Sequence, residues 1–147
     1  MPDIATNRQA RFRYHFLETW EAGLALTGTE VKSLREGKAQ IKDGYATVRD
    51  GEVWLHNVHI PPYAPASRDN HEPERSRKLL MHRREIERLI GKTREKGLTL
   101  VPTRMYFRNG RAKVEIALAK GKDVGDKRQA IKEREMKREM ERAIRSR

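Results

Sequence analysis

At 147 residues, with hydrophobic side chains at 36% and charged ones at 37%, the chain suits one domain of ordinary size and is too polar to bury a core along its whole length. Its formal net charge of +12 points to a polyanionic partner, nucleic acid or an anionic membrane surface. The lack of any cysteine removes a disulfide scaffold, a zinc finger and a thiol nucleophile together. No run approaches the roughly 18 apolar residues of a membrane span, and "MPDIATNRQAR" lacks a signal-peptide stretch, so a soluble, cytoplasmic polyanion-binding protein is expected.

In chain order, Asn7 is placed to cap a short helix carrying Arg8 and Arg11. Tyr14, Phe16 and Trp20 then alternate with polar or smaller neighbours, the period of a half-buried strand. "TGTEVKSLREGKA" reads as a helix of two to three turns, with Thr27 or Thr29 at its cap, Val31 and Leu34 inward and Gly37 as its stop. "IKDGYATVRDGEVWLHNVHI" predicts strand, turn and strand about Asp50-Gly51. Residues 61–78 hold four of the six prolines and read as an exposed loop. "HRREIERLIGKTREKG" is an amphipathic helix, with Ile86, Leu89 and Ile90 on one face and Gly97 past its end.

"RMYFRNGRAKVEIALAK" carries the sharpest local signal. Asn109-Gly110 supplies the two positive-φ positions of a type I′ turn. Counting outward pairs Phe107 with Ala112 and Met105 with Val114, while Tyr106, Lys113 and Glu115 point to the opposite face. About six strands and two or three short helices within 120 residues predict a mainly β, OB-like closed or partly closed barrel, a shape that removes sheet edges.

Nothing in the chain spells an active site. "GKT" at 91–93 has Ile86 where a phosphate-binding loop needs glycine. His56 and His59, three apart on a strand, face opposite sides, and no paired metal-ligand spacing appears. No catalytic residue, metal or cofactor is therefore assigned. Basic groups instead cluster at Arg8, Arg11 and Arg13, at Arg75, Arg77 and Lys78, and at His82, Arg83, Arg84 and Arg88. In a chain at +12 their joint reading is phosphate contact, because neutralised phosphates release condensed counterions. Nucleic-acid binding follows; RNA over DNA rests on the OB-like reading.

From Lys120 to Arg147 there are eleven Lys/Arg and six Asp/Glu, a surplus of +5. Glu133 with Lys137 and Glu141 with Arg145 support a helix; Glu135 with Glu139 and Arg134 with Arg138 oppose it. Such pairs contribute about 0.2–0.5 kcal/mol each, too little to hold a lone helix in water. The apolar stripe of Ile131, Met136, Met140 and Ile144 lacks a heptad. The expected division is a barrel over 1–120 and a basic tail over 121–147, frayed when free and ordered between polyanionic walls.

"NRQARFRY", "WEAGLALTGTEVKSLREGKA", "DGEVWLHNVHIPPY", "RKLLMHRREIERL", "KGLTLVPTRMYFRNGRAKVEIALAKGK" and "DKRQAIKERE" together resemble the SmpB family, the bacterial protein partners of tmRNA in trans-translation, over about residues 4–142. The resemblance implies a non-enzymatic RNA-binding adaptor. It implies a barrel bound to the tRNA-like domain of tmRNA in place of the missing anticodon arm, and a tail that becomes helical in the empty mRNA channel of a stalled ribosome. Small-subunit rRNA at the A site and mRNA channel is then a partner. Alanyl-tRNA synthetase and elongation factor Tu act on the same RNA. The implied tmRNA-binding positions are Asn7, Glu21 and Leu80, with Arg8, Arg11, Lys32 and Lys78 as phosphate contacts. Those implied for the decoding centre and mRNA channel are Gly121, Lys122, Asp126, Lys127, Arg128, Ile131 and Met136. Two positions depart from the family pattern. Phe12 stands where the family often has His, and Asp123 stands where it has Lys. Two rivals of other kinds are an rRNA-binding OB protein that ignores tmRNA and an RNA-processing enzyme with an acidic site.

Overall fold

The computed structural model describes residues 3–66, 70–94 and 97–121, together with Arg138 and Met140. Among these residues seven strands run antiparallel: β1 (Ala5–Thr6), β2 (Tyr14–Leu24), β3 (Tyr45–Arg49), β4 (Glu52–His56), β5 (Arg77–Leu80), β6 (Leu98–Arg108) and β7 (Arg111–Gly121). Their order is β1-β6-β3-β4-β5-β2-β7, and a further β6–β7 pairing joins the ends into a ring of six strands with β1 on the edge of β6. The mainly β, ring-closed sheet expected from the strand and turn pattern is present, with β1 as a seventh, two-residue strand. Among the described residues three helices accompany it: α1 (Ala10–Arg13), α2 (Gly28–Arg35) and α3 (Arg83–Thr93).

Both short hairpins form where turn chemistry predicts them. Asp50 and Gly51 have φ of 52° and 74°, and Asn109 and Gly110 have 51° and 73°. The register of the second is the one counted from its turn, Phe107 against Ala112 and Met105 against Val114. Inside the ring, Trp20, Leu34, Val53, Leu55, Leu79, Leu89, Leu100, Met105, Val114, Ile116 and Leu118 form the main core.

Two bulges change which face the long strands bury. β2 slips register between Phe16 and Glu18, leaving Leu17 unpaired and 58% exposed. Before the slip, Tyr14 and Phe16 pack on a second cluster of Ala10, Val101, Ala117 and Ala119; after it, Trp20, Ala22 and Leu24 enter the main core. The even alternation that marks a single half-buried strand is therefore two half-strands facing opposite ways. β6 slips likewise between Pro102 and Arg104. Arg104 and Tyr106 consequently share the outer side with Val101.

α2 starts as predicted. The Thr27 side chain accepts from the Glu30 N–H, and the Thr27 N–H donates to Glu30 Oε1 at 2.9 Å. Leu34 is buried and Gly37 ends the helix at a φ of 74°. α1 does not start at Asn7. The Asn7 side chain is buried and its Nδ2 donates to the Pro102 carbonyl at 3.0 Å and the Ile41 carbonyl at 3.4 Å, so Gln9 occupies the cap without a side-chain bond. Two fixed carbonyls, one of β6 and one of the segment before β3, outcompete the local cap.

Candidate nucleic-acid interface

The outer face of the β2-β7-β6 sheet is read in rows. Glu21 lies opposite Glu115, and Glu115 opposite Arg104; one row on, Gly23 lies opposite Lys113, and Lys113 opposite Tyr106. Two rows in the other direction, Ala117 and Ala119 are covered by α1 through Ala10. The exposed Arg8 and Arg11 therefore flank the same sheet face that presents Glu21.

Gly23 also pairs with Leu80 of β5. A Cβ on Gly23 would meet the Leu80 Cβ at 3.3 Å, so the missing side chain lets Leu80 lie over the strand. Leu80 is nonetheless 54% exposed. It projects from the sheet instead of filling the core. Lys78, two residues earlier, donates to Glu52 Oε1 at 2.8 Å. Glu21, Lys78, Leu80, Lys113, Arg83 and Ile86 line one groove of about 880 Å³ between this sheet, the tip of the β3–β4 hairpin and α3. That is the size of cleft that takes a sizeable ligand.

Three of the residues implied by resemblance thus meet: Glu21, Lys78 and Leu80 share the groove. Arg8 and Arg11 stand outside the groove lining, exposed beside α1 on the same sheet face. Lys32 stands apart on α2, its ammonium 5.6 Å from the centre of the Tyr63 ring, within cation–π range. Asn7 is 7% exposed and bonded to the sheet, so any influence on a ligand passes through the placement of Arg8 and α1. Gly121 closes β7 opposite Tyr14. Lys122, Asp126, Lys127, Arg128, Ile131 and Met136 lie outside the described residues.

Within the Arg75, Arg77 and Lys78 cluster, the two arginines do not form a phosphate surface. Arg77 has no exposed area and its Nε donates to Glu30 Oε2, while Nη1 donates to the Val58 carbonyl at 2.6 Å. Arg75 donates to the other Glu30 oxygen at 2.5 Å. Both guanidiniums are committed to a buried carboxylate, and the expectation that they contact phosphate is replaced by a structural role. Phe12, by contrast, is 73% exposed beside Arg11 and Arg13. Its ring is free to stack.

The structure adds partners that sequence reading left unassigned. The Tyr106 hydroxyl donates to Glu21 Oε2 at 2.5 Å, and Arg108 Nη1 donates to the same oxygen at 3.0 Å. The Tyr106 bond is the largest influence holding the Glu21 carboxyl below its ordinary range, aided by Arg108 and Lys113 against the opposing pull of burial. Burial, then the Glu21 bond, pushes the Tyr106 hydroxyl up to about 12, so it stays a donor. Hairpin alternation already set Tyr106 and Lys113 on the outer face. Only the β2–β7 register, which spans nearly a hundred residues of sequence, brings Glu21 to them.

Comparison with known proteins identifies the family of the chain. The family model for SmpB protein matches residues 4–146. The chain is 64% identical over 141 residues to the SsrA-binding protein of Acidothermus cellulolyticus, covering 96% of this chain and 89% of that one. It is 65% identical over 144 residues to the SsrA-binding protein of Thermobifida fusca, covering 98% and 90%. A solved structure described as "tmRNA-SmpB: a journey to the center of the bacterial ribosome" superposes with a TM-score of 0.69 at 52% identity, covering 82% of this chain and 85% of that one. With a match that runs nearly end to end, this chain belongs to the SmpB family.

Proposed function

We propose that this chain is an RNA-binding adaptor of trans-translation. It binds the tRNA-like domain of tmRNA through the Glu21–Leu80 groove and the α1 arginines, and carries that RNA to stalled ribosomes. The observation that carries the reading is the near end-to-end similarity to SsrA-binding proteins. The residues implied for RNA contact, Glu21, Lys78 and Leu80, converge on one groove beside exposed arginines, which supports it.

The barrel occupies the space of the absent anticodon arm. The tail from 122 onward enters the vacant mRNA channel and becomes helical there, with Lys122, Asp126, Lys127 and Arg128 at the decoding centre and Ile131 and Met136 further along. A fully helical 129–147 would extend roughly 30 Å. No chemistry is asked of the protein; it binds and positions. Among the described residues no helix is long and apolar enough to cross a membrane, consistent with work on cytoplasmic ribosomes.

The test is a gel shift on the tRNA-like domain of tmRNA, competed with ordinary tRNA and rRNA fragments. Ordinary tRNA is expected to compete poorly. Equal competition by every RNA would favour an rRNA-binding protein without tmRNA, and loss of RNA on incubation with divalent metal would favour a processing enzyme.

A further inference from the structure

Glu21 poses a physical problem for an RNA site, because a carboxylate beside phosphates is repelled. Its surroundings answer it. Both protein donors, the Tyr106 hydroxyl and Arg108 Nη1, bind Oε2. Among the described residues Oε1 receives no hydrogen bond, and the side chain keeps 35% of its surface exposed in the groove wall. An ionised carboxylate only accepts hydrogen bonds, so what binds Oε1 must be a donor. Phosphate oxygens offer none.

The two donors differ in rigidity. Arg108 is 65% exposed and its hold is loose. Tyr106 is 8% exposed, and the Arg104 guanidinium lies over its ring at 4.5 Å from the centre. Arg104 in turn is gripped by Asp3 at 3.4 Å and by Glu115 at 3.5 Å, and Glu115 accepts from Thr103 at 2.5 Å. A stacked and braced tyrosine is therefore the fixed point against which Glu21 is set.

We propose that Tyr106 is a positioning residue of the RNA site, aiming Glu21 Oε1 at a hydrogen-bond donor on an unpaired nucleobase seated against Leu80. This rests on the reading of the groove as the tmRNA site. The base is favoured over the ribose because Leu80, on the same groove, offers an apolar face to an unstacked ring. Setting the carboxylate beforehand saves the cost of ordering it at the moment of binding.

The experiment compares the full-length protein with Tyr106→Phe, Glu21→Gln and the double variant, reading affinity for the tRNA-like domain of tmRNA across a salt series. Phenylalanine keeps the ring under Arg104 and removes only the hydroxyl. Each single change is expected to weaken binding about tenfold, the scale of one hydrogen bond to a charged group. The double variant is expected to be no weaker than the weaker single one, since the two act as a unit. Because Tyr106 touches no phosphate, the salt slope of Tyr106→Phe should equal that of the wild type, whereas Arg11→Ala should lower it by about one. Urea midpoints of all variants are measured alongside. Wild-type affinity in Tyr106→Phe, or losses that multiply in the double variant, would overturn the positioning role while leaving the RNA reading intact. If the wild type fails to prefer this RNA over ordinary tRNA, the function reading itself falls, and the inference with it. Replacing the riboses of the RNA's unpaired nucleotides by 2′-deoxyribose should leave the Glu21→Gln effect unchanged; its disappearance would reassign the donor to a 2′-hydroxyl and overturn the base assignment.

Discussion

Glu30 has no exposed surface, yet it is held ionised. Burial alone would raise its carboxyl; hydrogen bonds from Arg75, from the Thr27 N–H and from Arg77 outweigh this and leave it below the ordinary value of 4.5. A carboxylate depressed on folding contributes stability that is fully present above its unfolded value and fades as pH falls through the folded one. Urea midpoints are therefore expected to be level from pH 7 to about 5.5 and to drop in more acid solution. Arg77→Met leaves Glu30 Oε1 with Arg75 and the Thr27 N–H but strips Oε2 of its partner. A loss of about 3–5 kcal/mol is expected at pH 7, because removing one partner of a buried ion leaves its desolvation cost incompletely offset. Adding Glu30→Gln to that variant should restore part of the loss. A midpoint shift under about 1 kcal/mol in Arg77→Met would show that water or Arg75 takes over the pairing.

At the scale of elements, the start of α2 and the end of the long loop are one construction. Glu30 both closes the capping box with Thr27 and anchors the first residue of β5, so the helix cap and the strand share a carboxylate. Thr27→Ala removes only the cap, and a destabilisation of about 1 kcal/mol is expected from thermal or urea unfolding. A loss near that of Arg77→Met would instead mean that the threonine holds Glu30 in place for the arginines. This site also marks the limit of what one chain of letters reveals. The Asp50-Gly51 and Asn109-Gly110 hairpins, the α2 cap and the α3 stripe were legible because their causes lie within a few residues. Glu30 and Arg77 stand 47 residues apart, and without knowledge of the pairing an arginine between Ser76 and Lys78 reads as surface charge. The bulges at Leu17 and Thr103 were hidden for a related reason: an extra residue changes faces without breaking the apolar alternation. Of the proposed RNA groove, the resemblance supplied Glu21, Lys78 and Leu80. Bringing Tyr106, Arg108 and Lys113 to Glu21 needed the strand register.

For the whole molecule, we propose that the barrel and the segment after it divide the work by what each can pack against. The ring closes on its own core, and its last strand runs through Gly121, opposite Tyr14. Lys120, opposite His15, and Gly121 thus belong to the barrel, one residue further than the boundary that composition sets. Beyond it, the segment of 122–147 carries ten Lys/Arg against six Asp/Glu and too few apolar residues to form a core. In the proposed reading such a segment would gain order from a polyanionic groove, at the entropic cost of folding on binding. Truncation after Gly121 keeps every ladder pair of β7 and removes only that segment. Its thermal midpoint should match the full chain within a degree or two, and its affinity for the tRNA-like domain should fall by no more than about threefold, the residual effect of a removed +4. Peptide tagging on ribosomes stalled without a stop codon should be lost entirely, since nothing remains to enter the mRNA channel. A truncated protein that still tags would place the sensing of the empty channel in the barrel. One that loses RNA affinity as steeply as tagging would make the tail part of the tmRNA site.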